Sequence, residues 1–258
     1  ANTLRVTPQE VASHFMNLGA DVTPGSFTPE IVKVKPGSLA VRDSWLKQGK
    51  YYIQDESSAL AAHALGVQPG HLVYDLCSAP GGKATHLGQL MENRGRILAI
   101  DADPRRILRV EENARRLGIT IIETRKADAS KELNLKPAPR VLVDAPCTGW
   151  GTIRKRPDLR WRKKPSDVAK LIQIQRKILS RAARCVQKGG LLLYSTCTIN
   201  KGENQDQAQW FLAEHPDFSG FPLPSWFPEP LGEPPWQRQL FPQIHNLDGF
   251  FLALFRKG

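Results

Sequence analysis

One joint constrains this chain more than any other feature. A short apolar run, Leu72 to Leu76, passes through Cys77-Ser78-Ala79-Pro80-Gly81-Gly82-Lys83 into a stretch from Ala84 to Met91. The run has the length and apolarity of a buried parallel strand, and the stretch after it reads as a helix. Gly81 and Gly82 carry no β-carbon, so the backbone can turn tightly and let a ligand approach its N–H groups. The free amides of the next helix face the same space. A nucleotide-like cofactor suits such a joint, although a plain strand–turn–helix connection carries the same glycines.

The pattern recurs. A second strand, Arg96 to Ile100, ends in Asp101, nineteen residues after Gly82. That is where an acid holds a ribose diol in dinucleotide-type folds. The glycines do not follow the G-x-G-x-x-G order of dehydrogenases, which disfavours a nicotinamide-dependent reductase and leaves S-adenosylmethionine as the leading cofactor. Asp103-Pro104 starts a helix with Ile107, Val110, Ala114 and Leu117 on one face and Gly118 as its stop. A third strand is expected at Ile119 to Glu123, and Asp128 beyond it suits an adenine amino group and a helix cap equally. A fourth strand, Arg140 to Val143, runs into Asp144-Ala145-Pro146-Cys147-Thr148-Gly149. A helix capped by Ser166 is expected to reach Val186, and Lys188-Gly189-Gly190 to turn into a fifth strand, Leu191 to Ser195, with Thr196-Cys197-Thr198 at its end. A further helix is expected at Glu203 to Glu214, loop through the eight prolines from Pro216 to Pro242, and a last strand at Gly249 to Phe255.

Strands alternating with helices imply an α/β, doubly wound, Rossmann-like parallel sheet whose ligands bind beyond the strands' carboxyl ends. Gly81, Asp101, Asp128, Cys147 and Cys197 all fall at such ends. Residues 51–258 are expected to form this domain. Residues 1–50 read as a small α+β appendage, either an RNA-binding or a purely structural extension: a strand at Ala1 to Val6, a helix from Thr7-Pro8 to Met16 or Asn17, and strands near Ile31 to Val34 and Leu39 to Val41. It begins abruptly, as a piece cut from a longer chain would.

A net charge of +11 points to a polyanionic partner, RNA or DNA before anionic lipid. The stretch Arg154 to Lys164 holds seven basic residues, one acid and one tryptophan. Such a run is often a solvated face. Here it follows a candidate active-site loop, and Arg154, Lys155, Arg156, Arg160, Trp161 and Arg162 suit a nucleic-acid backbone and a stacked base. The four cysteines, Cys77, Cys147, Cys185 and Cys197, form no C-x-x-C pair, so neither zinc nor any other metal is expected. Free thiols in a cytoplasmic, monomeric protein are the expectation. No segment has the length of a membrane span, and the first residues lack the basic flank and apolar run of a secretory signal.

At this point the chain resembles RNA cytosine-5 methyltransferases of the Sun type, and among them the RsmB-like enzymes of small-subunit ribosomal RNA. The resemblance rests on Asn2-Thr3-Leu4-Arg5, Gln54-Asp55-Glu56-Ser57-Ser58, Cys77 to Lys83, Asp144-Ala145-Pro146-Cys147, Pro157-Asp158-Leu159-Arg160-Trp161, Ser195-Thr196-Cys197-Thr198 and Asp248-Gly249-Phe250-Phe251. Two departures stand out: Thr148-Gly149-Trp150 replaces the family's usual Ser-Gly, and the N-terminal helical RNA-binding domain of RsmB-like proteins is not in this sequence. The resemblance implies methyl transfer from S-adenosylmethionine, yielding S-adenosylhomocysteine, to carbon 5 of a cytosine in RNA. It implies Cys197 as the nucleophile at carbon 6, Cys147 in product release, Asp144 against the cytosine ring and Lys83 at the same rim. It also implies that Cys77, Ser78, Ala79, Pro80, Gly81, Gly82, Lys83, Asp101, Arg106, Asp128 and Asp144 line the cofactor. Transfer RNA or another RNA is the alternative substrate. A non-catalytic RNA-binding assembly module, and a DNA-type chemistry with the Pro-Cys cysteine as nucleophile, are the alternative readings.

Overall fold

The computed structural model describes residues 1–162 and 164–258; Lys163, part of the basic run, lies outside them. The chain opens with α1 (Pro8–Asn17), capped by Thr7 and Glu10 in a reciprocal box, then β1 (Asp21–Pro24), β2 (Val32–Lys35), α2 (Ser38–Arg42) and α3 (Ser44–Lys47). β1 and β2 pair antiparallel. Val11, Phe15 and Tyr51 bury into a small core of their own. Two strand expectations fail here. Ala1 to Val6 is irregular, because the buried Asn2 side chain is turned inward to donate to the carbonyls of Gly49 and Leu117. Leu39 to Val41 lies inside α2, a turn too short for the apolar residues to show a helical period.

The rest forms a three-layer sandwich. In order come α4 (Glu56–Ala64), β3 (Leu72–Asp75), α5 (Gly82–Leu90), β4 (Arg96–Asp101), α6 (Pro104–Leu117), β5 (Ile122–Lys126), β6 (Ala138–Asp144), α7 (Leu159–Arg162), α8 (Pro165–Arg184), β7 (Val186–Thr196), α9 (Gln205–Glu214), β8 (Phe218–Gly220), β9 (Gln237–Leu240), α10 (Pro242–His245) and β10 (Phe250–Lys257). The sheet order is β5-β4-β3-β6-β7-β10-β8, with β9 also paired to β10. The first five strands run parallel and β10 is antiparallel to its neighbours.

Period-two alternation splits the central strands between two cores. Val73, Ile97, Leu142, Leu193 and Leu252 face α4, α5 and α6. Tyr74, Val141, Val143, Leu192, Tyr194 and Phe251 face α8 and α9. The stripe Ile107, Val110, Ala114, Leu117 is buried as its spacing predicts, and Gly118 ends α6 at φ +74°.

Four boundaries shift. β5 starts at Ile122 because Ile119 is drawn down against Ala114 and Leu117. Pro165, not Ser166, opens α8. Lys188-Gly189-Gly190 is a bulge within β7 rather than a turn before it, since Val186 already pairs with Ala138 while Leu191 pairs with Arg140. The proline-rich stretch holds β8 and β9, which its composition hid. Among the described residues no helix is long and apolar enough to cross a membrane.

Candidate active site

The carboxyl ends of β3 to β7 meet on one rim, and there the loops after β6 and β7 bring Cys147 and Cys197 together. Their sulfurs are 3.5 Å apart although the residues are fifty positions apart in sequence. Beside them Lys83, from the first turn of α5, places Nζ 2.6 Å from Asp144 Oδ2 at the end of β6. Ser195 Oγ donates to the other oxygen, Asp144 Oδ1, at 2.8 Å. A cavity of about 490 Å³ opens between these groups, lined by Cys77, Ala79, Asp101, Arg106, Asp128, Asp144, Arg156 and both cysteines.

Ser78, Pro80, Gly81, Gly82 and Lys83 stand outside that lining. Packing also requires the two glycines. Gly81 sits at φ +101°, and a Cβ on it would meet Val110 Cα at 3.1 Å; a Cβ on Gly82 would meet the Tyr52 ring at 2.9 Å. Both positions are small so that α5 can pack against α6 and Tyr52. Asp101 is buried and accepts from the backbone N–H of Ala79 (3.2 Å) and of Asp103 (3.0 Å). Arg106 donates to the Ala79 carbonyl at 2.8 Å. Asp128 accepts from both the N–H and the hydroxyl of Ser130 in a tight turn; among the described residues no helix follows for it to cap, and it faces the cavity.

The two thiols differ in character. Cys197 is held below the ordinary thiol range, first by the hydrogen bond from Cys147 and then by the Lys83 ammonium, against the opposing effects of burial and Asp144. Cys147, which shares that bond and is buried, is pushed well above the range. Burial lowers the Lys83 pKa, but the Asp144 carboxylate outweighs it and the ammonium is kept. Burial, with Asp144 nearby, raises Asp75 to about 7. Neither of its carboxylate oxygens has a hydrogen-bond partner among the described residues.

The spacing of the sulfurs is set by residues that the sequence reading passed over. Each cysteine is followed by a threonine, and the hydroxyls of Thr148 and Thr198 are 2.8 Å apart. The wholly buried Glu203 accepts from Thr148 N (2.9 Å) and Thr148 Oγ1 (2.6 Å), and Gln175 donates both to Glu203 and to the Pro146 carbonyl. Gly151 N–H donates to the Cys197 carbonyl at 3.0 Å, and Gly249 N–H to the Gly151 carbonyl at 2.9 Å. The available signal was the Cys-Thr dipeptide occurring twice.

In the basic stretch, Arg154, Lys155, Arg156, Arg160, Trp161 and Arg162 are all exposed, Trp161 at 86%. They are not equivalent. Lys155 is ion-paired with Asp55 and, at 3.0 Å, with Asp248; Arg154 reaches Asp248 at 4.0 Å. Arg162 pairs with Asp158 one turn earlier, and Arg156 turns into the cavity. Cys185 is buried beneath the sheet, away from the rim.

Comparison with known proteins fits this geometry. The family described as "16S rRNA methyltransferase RsmB/F" matches residues 62–256. The chain is 38% identical to the "Probable ribosomal RNA small subunit methyltransferase B" of Bacillus subtilis, over 99% of its own length and 58% of the relative's. The solved structure of PH0851 superposes with a TM-score of 0.94 at 40% identity, covering 99% of this chain and 58% of that one. A "Methyltransferase Homolog Protein" from Pyrococcus horikoshii gives 0.84 at 31% identity, covering 100% and 85%. The chain thus spans a little under three fifths of the curated relative it matches.

Proposed function

The chain belongs to the RsmB/F family of 16S rRNA methyltransferases, and from that premise we propose that it transfers a methyl group from S-adenosylmethionine to carbon 5 of a cytosine in small-subunit ribosomal RNA. The observation that carries this reading is the pair of thiols 3.5 Å apart beside an Asp–Lys pair, with Cys197 shifted below the ordinary thiol range and Cys147 above it. A single activated thiol serves many reactions; an opposed pair suits one that must both form and release a covalent adduct.

The cavity fits the cofactor. Asp101, Asp128 and Asp144 line it, and Asp75 lies just beneath with its carboxylate unpartnered. The carboxylates on this wall suit a ligand bearing a sulfonium and an ammonium, and Arg106 and Arg156 on the same lining suit its carboxylate. Cys77, Ala79, Asp101, Arg106 and Asp128 would hold S-adenosylmethionine, which supplies an electrophilic methyl group when bound.

The Cys197 thiolate adds to carbon 6 of an unstacked cytosine, and the electron pair of the ring double bond becomes available at carbon 5. Asp144, held by Lys83 and Ser195, hydrogen-bonds the protonated cytosine ring and so helps it accept the electron density that the thiolate brings. After carbon 5 has taken the methyl group, loss of its proton re-forms the double bond and expels the Cys197 sulfur. Cys147, already within hydrogen-bonding reach of that sulfur, assists the release. Arg160 and Trp161 offer a cation and an aromatic face to the RNA at the cavity's edge. Residues 1–50 are assigned as an appendage that extends this RNA surface.

The test uses tritiated S-adenosylmethionine and unmodified small-subunit RNA. Label is expected at cytosine carbon 5, with Cys197→Ser inactive and Cys147→Ser accumulating an RNA–protein adduct that survives denaturing electrophoresis. An adduct trapped by Cys197→Ser instead would reverse the two roles. Bound but unlabelled RNA would leave a non-catalytic assembly module, and label confined to transfer RNA would change the substrate.

A further inference from the structure

Two histidines and a glutamate meet at a place the chemistry above does not use. Glu30 stands in the turn between β1 and β2, His63 in the last turn of α4 and His86 in the middle of α5. Glu30 Oε1 is 2.8 Å from His63 Nε2 and 2.8 Å from His86 Nε2. The three candidate ligand atoms all lie within 4.8 Å of one another. Glu30 and His86 are buried and His63 is half-buried.

A hydrogen-bonded triad accounts for only part of this arrangement. His63 forms a well-directed bond to Glu30. His86 approaches the same oxygen as closely, yet neither of its ring nitrogens makes a directed hydrogen bond among the described residues, and its side chain is 7% exposed. Leaving a buried polar group in that condition costs about 1–3 kcal/mol. A cation held by the Nε2 lone pairs and the carboxylate would give His86 Nε2 a partner.

Two imidazoles and one carboxylate are a donor set suited to Zn²⁺. Tetrahedral bonds of about 2.0–2.1 Å put ligand atoms roughly 3.3 Å apart, so each imidazole would move about half an ångström away from Glu30 Oε1 to admit the ion. We propose that Glu30, His63 and His86 form a Zn²⁺ site that staples the β1–β2 hairpin to α4 and α5, with water as the fourth ligand.

The position suits a structural ion. The hairpin turn is already gripped on its other side by Glu56, which accepts from the N–H groups of Phe27 (2.7 Å) and Thr28 (3.1 Å) and pairs with Lys33 at 3.1 Å. The Trp226 ring stands edge-on to His63, 5.5 Å between centroids, and covers it. The ion would fix the hairpin to α5, the helix that carries Lys83.

The cysteine pair is a competing place for Zn²⁺, so the measurement is made on the full chain carrying both Cys147→Ser and Cys197→Ser. Titration calorimetry with zinc chloride is expected to show one bound equivalent, and added Zn²⁺ to raise Tm above its value in EDTA. Substituting Co²⁺ is expected to give the visible absorption of a four-coordinate nitrogen/oxygen site. Glu30→Gln and His63→Gln should each weaken Zn²⁺ binding by more than about 100-fold, exceeding the loss of an outer-shell partner. Their Tm in EDTA reports folding separately from the ion. No binding by the double-serine chain, or binding that survives both substitutions, would overturn the proposal.

Discussion

The loops that hold Cys147 and Cys197 and the basic stretch only seven residues beyond Cys147 are built on opposite principles. The cysteine loops are stitched together through a wholly buried carboxylate, two threonine hydroxyls and backbone bonds through Gly151. Arg160, Trp161 and Arg162 stand in solvent on the one-turn helix α7, and Arg162 pairs with Asp158 just before it. Two sulfurs acting on one pyrimidine need their spacing fixed to a fraction of an ångström, which satisfied buried hydrogen bonds provide. A polyanion is drawn in at long range by charges that need no fixed geometry. The basic run itself divides along this line. Arg154 and Lys155 are drawn into the scaffold by Asp55 and Asp248, while Arg160 and Trp161 are exposed and Arg160 enters no ion pair among the described residues.

The contrast breaks most sharply at Gly151. A Cβ there would lie 1.8 Å from the Gly249 carbonyl oxygen, a backbone atom. Gly151→Ala is expected to cost about 3 kcal/mol, at the upper end for overpacking, and to abolish the measurable methyl-transfer rate; denaturant unfolding and a single-turnover assay check it.

Glu203→Gln exchanges an acceptor for a donor opposite Gln175 and Thr148, and should cost about 1–3 kcal/mol. The maximal rate should fall while RNA affinity stays put. Equal loss of both would mean that Glu203 serves the fold at large rather than the sulfur spacing.

On the surface side the pattern inverts. Trp161→Ala should weaken RNA binding by about 1–3 kcal/mol, if a base stacks there, and leave stability within about 0.5 kcal/mol. Arg160→Gln should reduce the slope of log affinity against log salt by about 0.7, whereas Lys155→Gln should change unfolding more than that slope.

The smallest effect is a pH shift. Because Cys197 is held below the free-thiol value, its thiolate persists to lower pH, and kcat/KM should rise with pH and level off below about 8.5. In Lys83→Met an ammonium that favours the thiolate is gone, so the rising limb should move to higher pH. An unmoved limb would leave the Cys147 hydrogen bond as the whole cause.

Much of the fold could be read from short-range signals. Thr7 and Asp103 cap helices where expected, the stripe on α6 is core, and the apolar runs at β3, β4, β6, β7 and β10 are strands. The misses lie where context overrides local pattern. Leu39 to Val41 is a helix too short to show a period, Ile119 is drawn from β5 into a side cluster, and β8 and β9 hide among prolines. At the site, Cys147, Cys197, Asp144 and Lys83 stood out by their motifs. Glu203, Gln175 and Gly151 did not, because a buried carboxylate, amide or glycine looks like any other until its partner is known.

The sequence by itself determined the alternation of strands and helices, their caps, and the strand ends that carry reactive groups, since each depends on residues within a few positions of one another. Only the tertiary structure decided that sulfurs fifty residues apart lie 3.5 Å from each other, that Glu203 ties their loops, and that Glu30 meets His63 and His86. Those contacts are fixed by how the layers pack around the sheet. Packing is a collective, three-dimensional outcome that no local window of residues contains.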